Sequence, residues 1–159
     1  PICTKTFESF LADLNVAPEG LGRLGKECGF DGEELYCHTG MLASTEWIYR
    51  DMMSHRKLEK AMAEYAGYKL RIIGHSLGAG VASILSVLLR PTYPKLRCLA
   101  FSPPGCVMSE NLADAVASYT TSFVVNDDII ARMNIEGFEE LRDSVLEMIC
   151  RIKIGRAHV

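Results

Sequence analysis

One serine stands between two glycines in a pattern that can make its hydroxyl a nucleophile. Residues 74–78 read Gly-His-Ser-Leu-Gly, which matches the G-x-S-x-G motif of a nucleophile elbow. In such an elbow the serine occupies a strained turn between a strand and a helix, and small neighbours prevent collisions. The start of the helix presents the backbone N–H of Leu77 to a developing oxyanion. These residues predict acyl transfer with Ser76 as the nucleophile; the alternative is an ordinary glycine-rich turn.

A serine of this kind needs a histidine base, and the histidine needs a carboxylate that holds its tautomer. Asp127 and Asp128 follow a strand predicted at 122–125, within the sequence Asn-Asp-Asp. We favour Asp128 as the acid, because a carboxylate at this sheet edge could reach an imidazole placed over Ser76. Asp127 stays open as an alternative, and so does a solvated turn for both carboxylates.

The histidine base is expected outside the native part of this sequence. The usual chain order is serine, acid, histidine, whereas His38 and His55 precede the serine and His75 lies inside the motif. We therefore assign structural roles to these three, and expect the His75 side chain to point away from the reaction face. His158 follows the acid, but it lies in residues 154–159, which resemble translated sequencing-adapter DNA and are predicted to be a non-native tail.

Strands and helices alternate in the second half of the chain. Apolar periodicity predicts strands at 68–73, 96–101 and 122–125, with helices at 81–88 and 109–118 between them. Alternation of this kind indicates an α/β fold with a mainly parallel sheet and helices on both faces. Such a sheet would place Ser76 and Asp128 at the same edge.

The remaining segments are predicted from their periodicity and their glycines. Five glycines in residues 20–32 favour a flexible surface loop, although Gly-x-Gly-x-x-Gly occurs there, because no strand-to-helix context surrounds it. The other predicted elements are a helix at 7–14, a short strand at 35–38, one long helix at 44–67 and a final helix at 138–152.

Composition excludes several classes of protein. The 159 residues are 48% hydrophobic, which predicts one folded domain. With 17 Lys and Arg against 20 Asp and Glu, the net charge is -3, and no basic block indicates a nucleic-acid partner. No apolar run reaches the roughly 18 residues of a membrane-spanning helix.

Cysteine spacing and acidic residues predict no metal site. The six cysteines include no Cys-x-x-Cys pair, and we expect all six to be reduced. The acidic residues do not follow a calcium-loop pattern. No cofactor is expected for the chemistry.

Several segments together resemble the sn-1-specific diacylglycerol lipases, which belong to the class 3 lipases. The resemblance starts from Gly-His-Ser-Leu-Gly-Ala-Gly at 74–80, and its specific part is Arg-Pro-x-Tyr-Pro at 90–94 and Ser-Pro-Pro-Gly at 102–105, because generic lipases share only the elbow and the acid. Weaker similarity extends to Leu-Ala-Asp-Leu at 11–14 and Asp-Ile-Ile-x-Arg at 128–132. The resemblance implies an incomplete α/β-hydrolase fold, with residues 1–153 as a partial catalytic domain.

The resemblance also implies a reaction and a location. It makes Ser76 the nucleophile and selects Asp128 over Asp127 as the acid. The implied reaction hydrolyses the sn-1 ester of diacylglycerol to a 2-monoacylglycerol, such as 2-arachidonoylglycerol, and a fatty acid. Family members are anchored in the plasma membrane with the catalytic domain on the cytoplasmic side, so diacylglycerol and a membrane surface are the implied partners. Calcium is implied only as a regulator of the full-length family.

One departure from the family concerns the oxyanion hole. Where the family has Arg-Gly-Thr, this sequence has Ile2-Cys3-Thr4, so Thr4 is retained as a donor beside the N–H of Leu77 while the glycine is lost. Without the base, which is expected beyond Lys153, residues 1–153 alone are expected to be almost inactive. The competing hypotheses are a broader class 3 lipase acting on triacylglycerol or phospholipid, and a non-catalytic α/β-hydrolase domain that binds lipid or protein.

Overall fold

A parallel sheet and one central helix organise the molecule. The computed structural model describes residues 18–132, 140, 143–149 and 151. The predicted helix at 7–14, the Thr4 segment, Cys3, Cys150 and the tail at 154–159 lie outside the described residues. The final predicted helix is described only in part, and its residues 143–149 are helical.

Eleven elements follow each other within residues 18–132. The strands are β1 (Pro18–Gly20), β2 (Tyr36–His38), β3 (Arg71–His75), β4 (Arg97–Phe101) and β5 (Thr120–Phe123). The helices are α1 (Gly22–Cys28), α2 (Thr39–Ser54), α3 (Lys57–Glu64), α4 (Leu77–Leu89), α5 (Glu110–Val116) and α6 (Ile129–Arg132).

Strands β3, β4 and β5 form a parallel sheet in that order. Helix α4 connects β3 to β4, and α5 connects β4 to β5, which is the alternation that the sequence predicts. The register pairs Gly74 with Ala100, and Phe101 with Phe123. Parallel pairing brings the carboxyl ends of all three strands to one edge, where Ser76 and Ser102 follow β3 and β4. The predicted α/β class with a parallel sheet is confirmed.

Helix α4 is the centre of the core. Its residues from Ala79 to Leu89 are all buried, and Ile84 is completely buried. The helix packs on β3 and β4 and is covered on its other side by α2. On the opposite face of the sheet, among the described residues, Ile73, Phe101 and Phe123 remain exposed.

Residues 22–28 within the stretch at 20–32 form helix α1, so the prediction of a flexible loop there is wrong. Leu21 and Leu24 are buried, and their burial stabilises α1 in spite of the glycines. Gly29 ends the helix with φ 85°, and its N–H donates to the carbonyl of Gly25 at 2.8 Å. The expectation that no strand-to-helix context surrounds Gly-x-Gly-x-x-Gly is also wrong, because β1 ends at Gly20 and α1 begins at Gly22. Strand β1 pairs antiparallel with β2, however, whereas a dinucleotide site is built on parallel strands.

The long helix predicted at 44–67 is two helices. Helix α2 begins earlier, at Thr39, because His38 caps it: Nδ1 of His38 accepts the N–H groups of Gly40 at 3.1 Å and Met41 at 3.4 Å. The helical conformation is interrupted between α2 and α3, where Arg56 adopts the left-handed conformation with φ 51°. Periodicity does not detect this break, since the apolar spacing continues across it.

Candidate active site

Ser76 occupies a strained turn between β3 and α4. Its φ is 54° and its ψ is −128°, a conformation that non-glycine residues rarely adopt. The N–H of Ser76 donates to the carbonyl of Phe101 at 2.9 Å, which ties the turn to the end of β4. The carbonyl of Ser76 accepts the N–H of Ala79 at 2.8 Å and so starts the helix. This geometry is that of a nucleophile elbow.

The close approach of strand and helix depends on Gly74. A Cβ atom at this position would overlap the carbonyl group of Gly78 and lie 2.8 Å from Cα of Ala79. At Gly78 no described heavy atom lies within 4 Å of the place that a Cβ would occupy. The two glycines of the motif therefore have different roles: the first is sterically required by the packing, while the second is not.

Leu77 is the first residue of α4, so its N–H is one of the helix's unpaired amino-terminal donors. Ser76 and Leu77 are both partly exposed at the edge of the sheet. A helix amino terminus carries partial positive charge, which favours an anion beside it. The geometry therefore provides an oxyanion donor next to the serine hydroxyl. The second predicted donor, Thr4, lies outside the described residues.

The two candidate acids have different environments. Asp127 is 95% exposed in its side chain and forms an ion pair with Arg132 at 3.0 Å. Asp128 is partly buried, and its Oδ1 accepts the N–H of Ile130 at 3.0 Å. The structure thus places Asp127 in a solvent-exposed surface pair, whereas Asp128 faces the loop that follows β4.

Hydrogen bonding lowers the pKa of Asp128. The largest cause is hydrogen bonding by the hydroxyl of Ser102, followed by hydrogen bonding by the N–H of Ile130; burial opposes these effects, and an electrostatic effect of His75 is smaller still. Asp128 is therefore ionised at neutral pH, as a triad acid must be to stabilise an imidazolium. Neither Ser102 nor the electrostatic influence of His75 was found by sequence reasoning.

A signal for Ser102 was present in the sequence. This residue directly follows β4, and in parallel sheets the residues just beyond the strands' carboxyl ends line the site. The two prolines after it predict an irregular backbone and carry no information about the partner of its hydroxyl.

The other two histidines serve elsewhere in the fold. His38 is buried and caps α2. His55 is exposed at the end of α2, with Nδ1 3.3 Å from a carboxylate oxygen of Asp51. These placements agree with the structural roles predicted for both.

Neither a metal site nor a membrane span is found in the described part of the chain. No group of three His, Cys, Asp or Glu side chains there is arranged to hold a metal ion. No helix within 18–132 or 143–149 combines the length and the apolar character needed to cross a bilayer. The described cysteines Cys28, Cys37, Cys98 and Cys106 are free thiols.

Comparison with protein families gives one match that covers most of the chain. Residues 3–138 match the family model described as lipase (class 3). Among curated proteins, diacylglycerol lipase-beta of Mus musculus is 31% identical over 146 residues, which are 92% of this chain and 21% of the relative. Diacylglycerol lipase-alpha of Homo sapiens is 38% identical over 119 residues, which are 72% of this chain and 11% of the relative. The chain thus spans about a fifth or less of the length of these relatives.

Solved structures share the fold. The mono- and diacylglycerol lipase from Aspergillus oryzae superposes with a TM-score of 0.67 at 20% identity, covering 84% of this chain and 46% of that one. A lipase from Rhizopus microsporus var. chinensis superposes with a TM-score of 0.64 at 20% identity, covering 84% and 45%. These likenesses support the α/β-hydrolase fold.

Proposed function

This chain belongs to the class 3 lipase family, and from that premise we propose that it is part of a serine hydrolase that cleaves the sn-1 ester of diacylglycerol. The products are a 2-monoacylglycerol, such as 2-arachidonoylglycerol, and a fatty acid. The observation that carries the proposal is the strained conformation of Ser76 between β3 and α4, directly before Leu77, the first residue of α4. An ordinary glycine-rich turn has no need to hold a serine at positive φ.

The proposed chemistry is acyl transfer in two steps. The Ser76 hydroxyl gives its proton to a histidine base and attacks the ester carbonyl, and the N–H of Leu77 stabilises the oxyanion together with Thr4. Collapse of the intermediate expels the glycerol oxygen, which takes the proton from the base. Water then adds to the acyl-enzyme by the same route and releases the fatty acid. The base is proposed to lie outside residues 1–153.

Asp128 is the proposed acid. Its Oδ1 accepts the N–H of Ile130 at 3.0 Å, and hydrogen bonding by the Ser102 hydroxyl is the largest cause of its lowered pKa. Asp127 instead pairs with Arg132 in solvent. In this role Asp128 accepts a hydrogen bond from the base and keeps it in the tautomer that can take the serine proton.

The lipid substrate and a membrane surface are supported by two observations. The curated relatives are named diacylglycerol lipases. In addition, apolar side chains next to the proposed acid are exposed: Val124 by 46%, Val125 by 72% and Ile129 by 67%. Such a cluster suits contact with acyl chains. We propose membrane association at the cytoplasmic side of the plasma membrane, and calcium, where it acts, as a regulator outside the chemistry.

A fluorophosphonate probe tests the proposal. The probe is applied to a polypeptide that carries residues 1–153 together with the triad base, as wild type and as Ser76→Ala. We expect covalent labelling of the wild type and its complete loss in the variant. Labelling that survives in Ser76→Ala would overturn the assignment as a serine hydrolase. Ser118→Ala, which changes an exposed serine in the turn after α5, is the control for this experiment.

Substrate class is tested separately by comparing hydrolysis of diacylglycerol, triacylglycerol and phospholipid in mixed micelles. We expect diacylglycerol to be cleaved fastest, with release of the sn-1 fatty acid. Faster cleavage of triacylglycerol or phospholipid would instead indicate a broader class 3 lipase.

A further inference from the structure

The loop that follows β4 starts with a strained serine. Ser102 has φ 48°, which is left-handed backbone that a side chain rarely adopts. Pro103 and Pro104 follow it, so the loop has few conformations available. A strained residue in a rigid loop persists only where surrounding contacts hold it, and such residues concentrate at functional sites.

Backbone hydrogen bonds fasten this loop to the segment that carries Asp128. The N–H of Ser102 donates to the carbonyl of Phe123 at 2.8 Å, five residues before the acid. The N–H of Gly105 donates to the carbonyl of Ile130 at 3.1 Å, two residues after the acid. The loop therefore holds the acid's segment from both sides.

The carboxyl end of β4 is also hydrogen-bonded to the proposed nucleophile. Phe101 accepts the N–H of Ser76 at 2.9 Å, and its ring stacks on Phe123 with centroids 4.7 Å apart. Residues 101 and 102 thus lie directly between the turn of Ser76 and the acid. Any shift of this pair would alter the distance between nucleophile and acid.

We propose that Ser102 is a positioning residue: its hydroxyl donates to the carboxylate of Asp128 and fixes the orientation in which that carboxylate receives the triad base. The proposal rests on the proposed function and adds a residue to it. The Ile130 N–H donates to Oδ1 of Asp128 at 3.0 Å, and the proposed bond from the Ser102 hydroxyl gives the carboxylate a second donor. Two donors restrict rotation about the Cβ–Cγ bond and leave the remaining acceptor sites of the carboxylate for the triad base. The lowered pKa of Asp128, for which the Ser102 hydroxyl is the largest cause, agrees with this bond.

Two substitutions separate the hydroxyl from the backbone strain. Ser102→Gly removes the hydroxyl and suits the positive φ, whereas Ser102→Ala removes the hydroxyl and keeps the strain. We expect both to slow fluorophosphonate labelling by about tenfold or more, the usual value of a hydrogen bond to a charged group. Glu34→Gly is the matched control, because Glu34 also has positive φ, at 61°, and is exposed outside the site.

A readout that a merely structural role would not move is the pKa of Asp128, measured from its carboxyl carbon by NMR. We expect it to rise in both Ser102 variants and to stay constant in Glu34→Gly. A second readout is a double-mutant cycle of labelling rates that combines Ser102→Gly with Asp128→Asn. If Ser102 acts through the carboxylate, Ser102→Gly adds little to the loss already caused by Asp128→Asn.

The outcomes distinguish this proposal from the proposed function. If Asp128→Asn slows labelling but Ser102→Gly and Ser102→Ala do not, only the positioning role falls. If Ser102→Ala alone slows labelling, strain rather than the hydroxyl is responsible, and the proposal is overturned. If Asp128→Asn leaves labelling at the wild-type rate, the acid assignment fails and the role of Ser102 fails with it.

Discussion

At the scale of the residue, the two glycines of the Gly-His-Ser-Leu-Gly motif are not equivalent. Gly74 lies on β3 where the backbone of α4 approaches so closely that no side chain fits. Gly78 lies on α4 and has open space where a Cβ would stand. The sequence predicts that both flanking residues must be small, and the structure limits that requirement to the first.

We predict that Gly74→Ala destabilises the protein by more than about 3 kcal/mol, because backbone atoms rather than a flexible side chain would have to move. Gly78→Ala is the matched control. It should leave stability unchanged or raise it by up to about 1 kcal/mol, since alanine is the better helix former. Urea denaturation of both variants measures the difference. Equal losses in the two variants would contradict the steric distinction.

Cys37 gives a second residue-scale prediction. Its thiol is 2% exposed, and burial, with smaller effects from Glu19 and Glu46, raises its pKa from 9.0 to about 12. The unfolded state therefore loses this proton first as the pH rises. Its contribution to stability is fully present below pH 9.0 and is lost as the pH rises toward about 12.

The test compares the unfolding free energy of the wild type with that of Cys37→Ala from about pH 8 upward by urea denaturation. We expect the wild type to lose stability more steeply than the variant above about pH 9. Other groups that titrate in this range, Tyr49 among them, are common to both proteins and cancel in the comparison. Parallel curves would show that the Cys37 thiol does not have the raised pKa.

At the scale of the element, α4 connects the core to the site. It starts at the residue after Ser76 and is buried from its third residue to its last. The hydroxyls of two of its serines form hydrogen bonds within the helix. The Ser83 hydroxyl donates to the carbonyl of Ala79 at 2.9 Å, and the Ser86 hydroxyl donates to the carbonyl of Ser83 at 2.6 Å. The helix can therefore be surrounded by apolar neighbours without leaving these hydroxyls unpaired. Loss of packing on α4 should affect the whole fold.

We predict that Ile84→Val costs about 1 kcal/mol and Ile84→Ala about 3 kcal/mol of unfolding free energy, because Ile84 is completely buried and the cavity cannot collapse fully. Ile73→Ala is the matched control, since Ile73 is 63% exposed on the sheet. Its loss should be less than half that of Ile84→Ala. Denaturation curves that show comparable losses would place the core elsewhere than around α4.

Element boundaries show where sequence patterns stop being informative. The sequence predicts three elements to within a few residues: β4, β5 and α4. Each contains its own apolar run, and Arg90-Pro91 marks the end of α4. Helix α1 was missed because its stability comes from burial of Leu21 and Leu24 against distant elements. The break at Arg56 was missed because a left-handed residue that is not glycine leaves no local signal.

At the scale of the whole molecule, apolar side chains stand exposed around the proposed acid. Val125 and Ile129 lie on either side of Asp127 and Asp128 and are 72% and 67% exposed. Large exposed apolar side chains that cluster beside a candidate site favour contact with a lipid.

We predict that Val125→Asp and Ile129→Asp lower hydrolysis of diacylglycerol in phosphatidylcholine vesicles by at least about tenfold, because a carboxylate resists transfer to an apolar environment. Hydrolysis of a soluble short-chain ester should change by less than about twofold, since the reacting groups are untouched. Ala117→Asp, at the end of α5, is the surface control. Equal losses with both substrates would argue against a lipid-facing role for this cluster.

The motifs of the sequence indicated the family, and local rules predicted the parallel sheet and the turn at Ser76. A serine between a strand and a helix needs a small residue at position 74, and alternating strands and helices favour parallel pairing. The resemblance already favoured Asp128 over Asp127. The tertiary structure added the hydrogen-bond partners of each carboxylate, limited the steric requirement to Gly74, and brought the loop of Ser102 beside the segment of Asp128. Those results depend on hydrogen bonds and contacts between β4, β5 and the loops after them. Residues that are far apart in sequence make these contacts, and no local pattern encodes them.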